Sequence, residues 1–151
     1  MHIDVAQSHE FYAVLELVEE ALIEVVEQGQ ELPWINREKL HSDIRRCLDW
    51  DANARGGSAP MVAILAKDEQ SGVAQGILLL TQCFAVYAGG EYGVIDELYV
   101  RPEFRGRGLE RELLDEAVAI SQRRGWLRLD ITGPDVERSD RAAKFARDLG
   151  L

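Results

Sequence analysis

Apolar side chains recur along this chain with two different periods, and the switches between them mark the elements. Ile3-Asp4-Val5 reads as a short strand. Ser8 offers an N-cap, and Phe11, Leu15, Val18, Leu22 and Val25 then recur at helical spacing until Gly29. Glu16, Glu19, Glu20, Glu24 and Glu27 fill the other face of that helix and predict a solvated surface. Leu32-Pro33-Trp34 leads into a second helix of roughly Arg37 to Trp50, with Leu40, Ile44, Cys47 and Leu48 inward. Asp51 through Pro60 reads as a loop. Met61 to Lys67 and Val73 to Phe84 are apolar runs joined by Asp68-Glu69-Gln70-Ser71-Gly72, a hairpin signature. After the reversal at Gly89-Gly90-Glu91, Tyr92 to Val100 forms another strand, which Pro102 ends. A helix from about Gly108 to Arg124 carries Leu109, Leu113, Ala117 and Ile120 on one stripe, and Gly125 caps it. Trp126 to Ile131 alternates as a strand, and a last helix from about Ser139 turns Ala142, Phe145 and Leu149 inward. The order βααβββαβα predicts a mixed, mostly antiparallel α/β sheet flanked by helices, with one parallel crossover late in the chain.

Length and charge narrow what this pattern does. A chain of 151 residues suits one domain spanning residues 1–151. Its longest apolar run is strand-sized, so no membrane partner is expected. The N-terminus lacks the basic start and apolar stretch of a signal peptide, and Cys47 and Cys83 are too few for a disulfide framework; both point to the cytoplasm. His2, His9 and His41 lack metal-ligand spacing and read as surface or capping residues. The net charge of −10 argues against nucleic acid as a partner, which needs phosphate neutralisation by Lys and Arg. That charge is unequally shared. Residues 1–100 hold 17 acids and six bases, whereas residues 101–151 hold 10 acids and 11 bases, including Arg101, Arg105, Arg107 and Arg111. A cationic partner at one end and an anionic one at the other would suit this division.

Chemistry concentrates in the run from Ile95 to Leu109, a strand, an arginine- and glycine-rich turn, and a helix start. Glycines admit close backbone approach, and the N–H groups of such a turn converge with the helix N-terminus on one anion site. A nucleoside-triphosphate loop would need Gly-Lys-Ser/Thr where Gly108-Leu109-Glu110 stands. A dinucleotide fingerprint would need a third glycine and an early βαβ unit.

The run Leu98-Tyr99-Val100-Arg101-Pro102-Glu103-Phe104-Arg105-Gly106-Arg107-Gly108-Leu109 resembles the acetyl-CoA-binding motif of the GCN5-related N-acetyltransferase (GNAT) superfamily, Gln/Arg-x-x-Gly-x-Gly/Ala after a strand. Arg141 to Leu151 is similar to the family's later helix. The resemblance implies acetyl transfer from acetyl-CoA to a primary amine, directly within a ternary complex. It implies that backbone groups of Leu98 and Val100 pair with the pantetheine arm and that N–H groups of Arg105, Gly106, Arg107, Gly108, Leu109 and Glu110 cradle the pyrophosphate. Val100 or a neighbour such as Tyr99 would polarise the thioester carbonyl through its N–H. The attacking amine must be neutral, and Asp96, then Glu97, are the candidate bases. Strand alternation would send these two to opposite faces, Asp96 with Leu98 and Val100. Trp34, Trp50 and the Gly56-Gly57 loop would line an acceptor pocket. The acidic first two thirds favours a cationic small-molecule or peptide amine.

Three positions depart from the family pattern. The family's usual proton-donating tyrosine falls on Ala146, leaving water or Tyr99 to protonate the thiolate. The family usually continues into two more strands, whose lack would expose the edge of the strand ending at Ile131; a second copy of the chain, as a homodimer, or the N-terminal segment would then cover it. The motif's last small residue falls on Glu110. An alternative is therefore a catalytically impaired module that binds CoA or a protein partner. A carboxylate at Glu110 suits an empty helix N-terminus by about 0.3–1 kcal/mol and repels a bound pyrophosphate. Glu110→Ala is accordingly expected to tighten acetyl-CoA binding in calorimetry, and unchanged or weaker binding would refute this.

Overall fold

The computed structural model describes residues 1–132. The expected last helix, with Ala142, Phe145, Ala146 and Leu149, lies outside them. Five strands form one sheet in the order β1 (His2–Val5), β2 (Met61–Lys67), β3 (Ala74–Ala85), β4 (Gly90–Val100) and β5 (Leu129–Ile131). The first three pairings are antiparallel, and β4 pairs with β5 in parallel. Helices α1 (Phe11–Glu27), α2 (Arg37–Leu48) and α4 (Leu109–Arg123) flank the sheet, and α3 (Ala52–Arg55) is a single turn. That turn falls in the stretch expected to be a loop, where the Asp51 side chain accepts from the N–H groups of Asn53 and Ala54.

Both faces of the sheet are covered, which explains the continuous apolar runs of β2 and β3. Ala63, Leu65, Ile77, Leu79 and Tyr99 pack against α1 and α2. Ile64, Ala66, Leu78, Leu80, Ile95 and Val100 pack against α4 through Leu109, Leu113, Leu114, Ala117 and Ile120. On α1 the centre of the buried stripe is Val14, Leu17 and Ala21, one step round from the expected Leu15 and Leu22, which are half-buried at its margin. Ser8 does not cap this helix. It opens a 3-10 turn, Ser8–Glu10, and Gln7 N–H donates to the Glu10 carboxylate.

β5 is shorter than the alternation predicts, because Trp126 belongs to the end of α4. Gly125 takes a left-handed φ of 73°, and Trp126 N–H donates back to Ser121 C=O. The indole then lies buried over Gly93 of β4, with the Arg124 guanidinium 5.3 Å from its ring, while Leu127 is exposed. A Cβ at Gly93 would stand 2.4 Å from the Trp126 ring. Only a residue without a side chain lets Trp126 sit there, so this contact sets where β5 meets β4. Gly93→Ala is expected to lower unfolding free energy by about 1–3 kcal/mol through overpacking, measured by denaturant titration.

Candidate functional site

Among the described residues β5 runs beside β4 over Gly93 to Ile95, and Thr132 N–H donates to Ile95 C=O at 3.0 Å. There β4 bulges. Leu80 faces Ile95 and Leu79 faces Glu97, so Asp96 is the extra residue in the ladder. The bulge overrides the expected alternation: Ile95 and Leu98, three apart, both belong to the α4 side of the sheet. Beyond it, no strand among the described residues lies along the outer edge of Glu97 to Val100.

Past this edge the chain turns through a 3-10 segment, Pro102–Phe104, into α4. Gly106 and Gly108 have φ of 78° and 85° with open space where a Cβ would stand, so backbone twist, not crowding, calls for glycine. Such a twist aims successive N–H groups into one concavity, as in anion-binding nests. Arg105 N–H does not join them, since it donates to Pro102 C=O at 3.3 Å. The N–H groups of Gly106, Arg107, Gly108, Leu109 and Glu110 have no backbone acceptor among the described residues. Buried Leu109 anchors the helix start, and exposed Arg107 lies 5.7 Å from the Phe104 ring. Glu110 is half-buried and forms no ion pair among the described residues, with Arg107 or otherwise.

The arginines of the turn are held from below. Glu16, Glu20 and Glu24, spaced by four on α1, form one row; Glu16 is exposed as the sequence predicts, whereas Glu20 and Glu24 are half-buried. Arg101 donates to Glu20 at 2.9 and 3.1 Å, to Glu16 at 2.9 Å and to Ala74 C=O at 3.0 Å. Arg105 donates to Glu24 at 2.5 Å and, through Nε, to Val100 C=O at 2.8 Å. Its guanidinium thus points toward α1 and braces the turn. Sequence reasoning missed Glu20, Glu24 and Arg101. The signal was there, in two arginines four apart and three glutamates four apart with opposite charge. Glu19 is likewise engaged, by Arg37 and by His41, whose ring is bound 2.9 Å away and is no free surface group.

Tyr99 is buried on this same side, and its hydroxyl donates to Glu20 at 3.4 Å. Burial, with the charges of Glu20 and Glu24, pushes it up to about 12. A phenol so held is a poor proton donor for a thiolate. Trp50 donates to Gly57 C=O at 2.8 Å with Arg55 over its ring, so these expected pocket residues staple their own loop, whereas Trp34 stays exposed. No cluster of metal-ligating side chains occurs among the described residues, and none of their helices is long and apolar enough to cross a membrane.

The two candidate bases differ. Glu97 Oε1 accepts the N–H of Leu98 at 3.0 Å. Asp96 reaches solvent on one side, yet desolvation by the surrounding protein raises its carboxyl above the usual aspartate value. Since the folded value lies above the unfolded one, ionised Asp96 costs stability at neutral pH, and the cost vanishes as pH falls through the folded value. Asp96→Asn is expected to raise Tm at pH 7, by an amount that shrinks on acidification, and a side-chain carboxyl NMR titration should place Asp96 above ordinary aspartates.

Sequence comparison agrees with this geometry. The Acetyltransferase (GNAT) family profile matches residues 23–151. No curated protein sequence matches. Among solved structures, the chain is similar to a protein from Clostridium acetobutylicum described as a predicted acetyltransferase with acetyl-CoA, at 15% identity and TM-score 0.73, covering 99% of this chain and 88% of that one. It is similar to the ribosomal-protein-alanine N-acetyltransferase of Brucella melitensis biovar Abortus 2308, at 17% identity and TM-score 0.66, covering 99% and 91%. It is also similar to an aminoglycoside acetyltransferase, meta-AAC0020, from an uncultured soil metagenomic sample, in complex with sisomicin, at 16% identity and TM-score 0.65, covering 97% and 85%. The family match over most of the chain and the shared fold make this chain a member of the GNAT family of acetyltransferases.

Proposed function

We propose that the protein transfers an acetyl group from acetyl-CoA directly to a primary amine. The observation that carries this reading is the edge of β4 after Ile95, which has no described strand beside it and leads into the N–H groups of Gly106 to Glu110. An extended amide-bearing arm fits the first, and a diphosphate fits the second. The anion falls to those backbone groups and Arg107, because Arg105 is turned toward Glu24.

The amine lone pair attacks the thioester carbonyl, whose developing oxyanion takes a backbone N–H near Val100. Asp96 first takes a proton from the acceptor's ammonium to free that lone pair; the C–N bond then forms as the C–S bond breaks, and the second nitrogen proton passes through water to the departing thiolate. Asp96 precedes Glu97 in this role because its carboxyl accepts no hydrogen bond among the described residues and has a raised pKa. Glu97 is the second candidate.

The acceptor is a cationic amine, small molecule or peptide. The row on α1 that binds Arg101 and Arg105 is unavailable to it, which leaves Asp96, Glu97 and the loop acids to attract it. The sisomicin complex of a structural relative supports an amine-rich acceptor. We place the protein in the cytoplasm as a homodimer; a monodisperse monomer would refute the dimer. A CoA-binding module without turnover is the second reading, favoured by Glu110 on the first turn of α4.

A thermal shift with acetyl-CoA followed by thiol release across an amine panel tests the proposal. We expect Tm to rise with ligand concentration and thiol to appear with at least one polycationic amine. Stabilisation without release for any amine supports the binding module, and no stabilisation overturns both readings.

A further inference from the structure

The glycine turn that would cradle a diphosphate is supported mainly at its two ends. The N–H groups of Gly106, Arg107 and Gly108 have no backbone acceptor among the described residues, and nothing stands within 4 Å of a Cβ placed at either glycine. Glycine backbone has wide freedom, so such a segment keeps its twist only where its ends are fixed. Behind it Leu109 is buried at the start of α4. In front of it stands Arg105, whose side chain is held from three directions. Nε donates to Val100 C=O at 2.8 Å, which ties the last residue of β4 to the residue before Gly106 across the 3-10 segment. An amino group of the guanidinium donates to Glu24 on α1 at 2.5 Å, and its central carbon lies 5.6 Å from the centre of the Tyr99 ring.

Val100 and Tyr99 belong to the strand that leads into the turn, whereas Glu24 belongs to α1, 81 residues earlier in the chain. Its other carboxylate oxygen accepts from Gln28 at 3.5 Å, so one oxygen serves the turn. Arg101 has acids of its own, Glu16 and Glu20, and does not depend on Glu24. The Arg105 and Glu24 side chains are 33% and 20% exposed. A charged acceptor in so sheltered a place directs the planar guanidinium more firmly than a neutral one. We propose that Glu24 is a positioning residue for acetyl-CoA, which acts through Arg105 to hold Gly106 to Gly108 in the twist that receives the diphosphate. The inference rests on the acetyl-CoA reading and makes α1 part of what sets donor affinity. Charge alone would act in the opposite direction: a carboxylate near a diphosphate repels it, and without Glu24 the guanidinium of Arg105 would be free to turn toward the phosphates. Positioning requires the reverse sign, because a loosened turn must be ordered at each binding event, so losing Glu24 lowers affinity.

Calorimetry with acetyl-CoA on the wild type, Glu24→Ala, Glu24→Gln, Arg105→Leu and the combined Glu24→Gln/Arg105→Leu variant tests this. Glu24→Ala is expected to weaken binding about tenfold, from the strength of hydrogen bonds to charged groups. Glu24→Gln, close in shape and still an uncharged acceptor, should weaken it about threefold. The glutamine variant decides the matter if the alanine variant does not fold. Because Glu24 acts through Arg105, Glu24→Gln should add no further loss in the Arg105→Leu background. In the ligand-free protein the amide NMR signals of Gly106 and Gly108 should shift in Glu24→Gln, while those of Gly56 and Gly57, in the loop after α3, stay in place. This spectrum decides alone if the combined variant does not fold. Unchanged or tighter acetyl-CoA binding in Glu24→Gln, with the wild type binding, would overturn the inference alone. So would a full additional loss in the Arg105→Leu background, or amides of Gly106 and Gly108 that do not move. Failure of the wild type to bind acetyl-CoA would overturn the underlying reading instead.

Discussion

Among the described residues β4 and β5 stay together for three residues, Gly93 to Ile95, and the candidate site begins where that pairing stops. Trp126, tied to the end of α4, lies on Gly93 and brings β5 alongside at that point. The extra residue at Asp96 then shifts the ladder with β3, and beyond it the outer edge of β4 has no described strand beside it. The turn after Val100 continues from that edge into the N–H groups at the start of α4. An edge with no described strand beside it, a carboxyl raised by desolvation and a run of N–H groups without described backbone acceptors thus follow one another along the chain from Ile95.

Several of the charges in this protein tie its segments together. The row Glu16, Glu20 and Glu24 ties α1 to Arg101 and Arg105, and Glu19 ties α1 to α2. The contacts of the row join segments 81 to 85 residues apart, with both partners only partly exposed in the case of Arg105 and Glu24. Exposed ion pairs contribute little to stability, whereas a half-buried, multiply bonded arginine also fixes geometry. Here it fixes the turn that carries the N–H groups of Gly106 to Glu110.

Much of the fold was legible because its signals are local. The apolar periods located β2 and the strand β4, the stripe of Leu109, Leu113, Ala117 and Ile120 located α4, and glycine spacing located the turn. What was not legible depends on contacts distant in sequence. A stretch of glutamates on an amphipathic helix looks solvated until the arginines it meets are known. The bulge at Asp96 is a difference of one residue between two strands, invisible in either strand alone. Trp126 alternates correctly for β5, yet the helix end claims it first. The GNAT motif carried the family because its backbone twist is written in Gly106 and Gly108, whereas the acceptor leaves no comparable local mark.

The pairing of Trp126 with Gly93 also bears on how this chain can change over generations. Any side chain added at Gly93 needs a smaller group at Trp126, and a smaller group there leaves a void unless Gly93 grows to fill it. Each single step is penalised and only the double step is tolerated, so the two positions are strongly non-additive. A change at either position is therefore felt at the other, and the joint between β4 and β5 can alter in matched pairs of substitutions where it resists single ones.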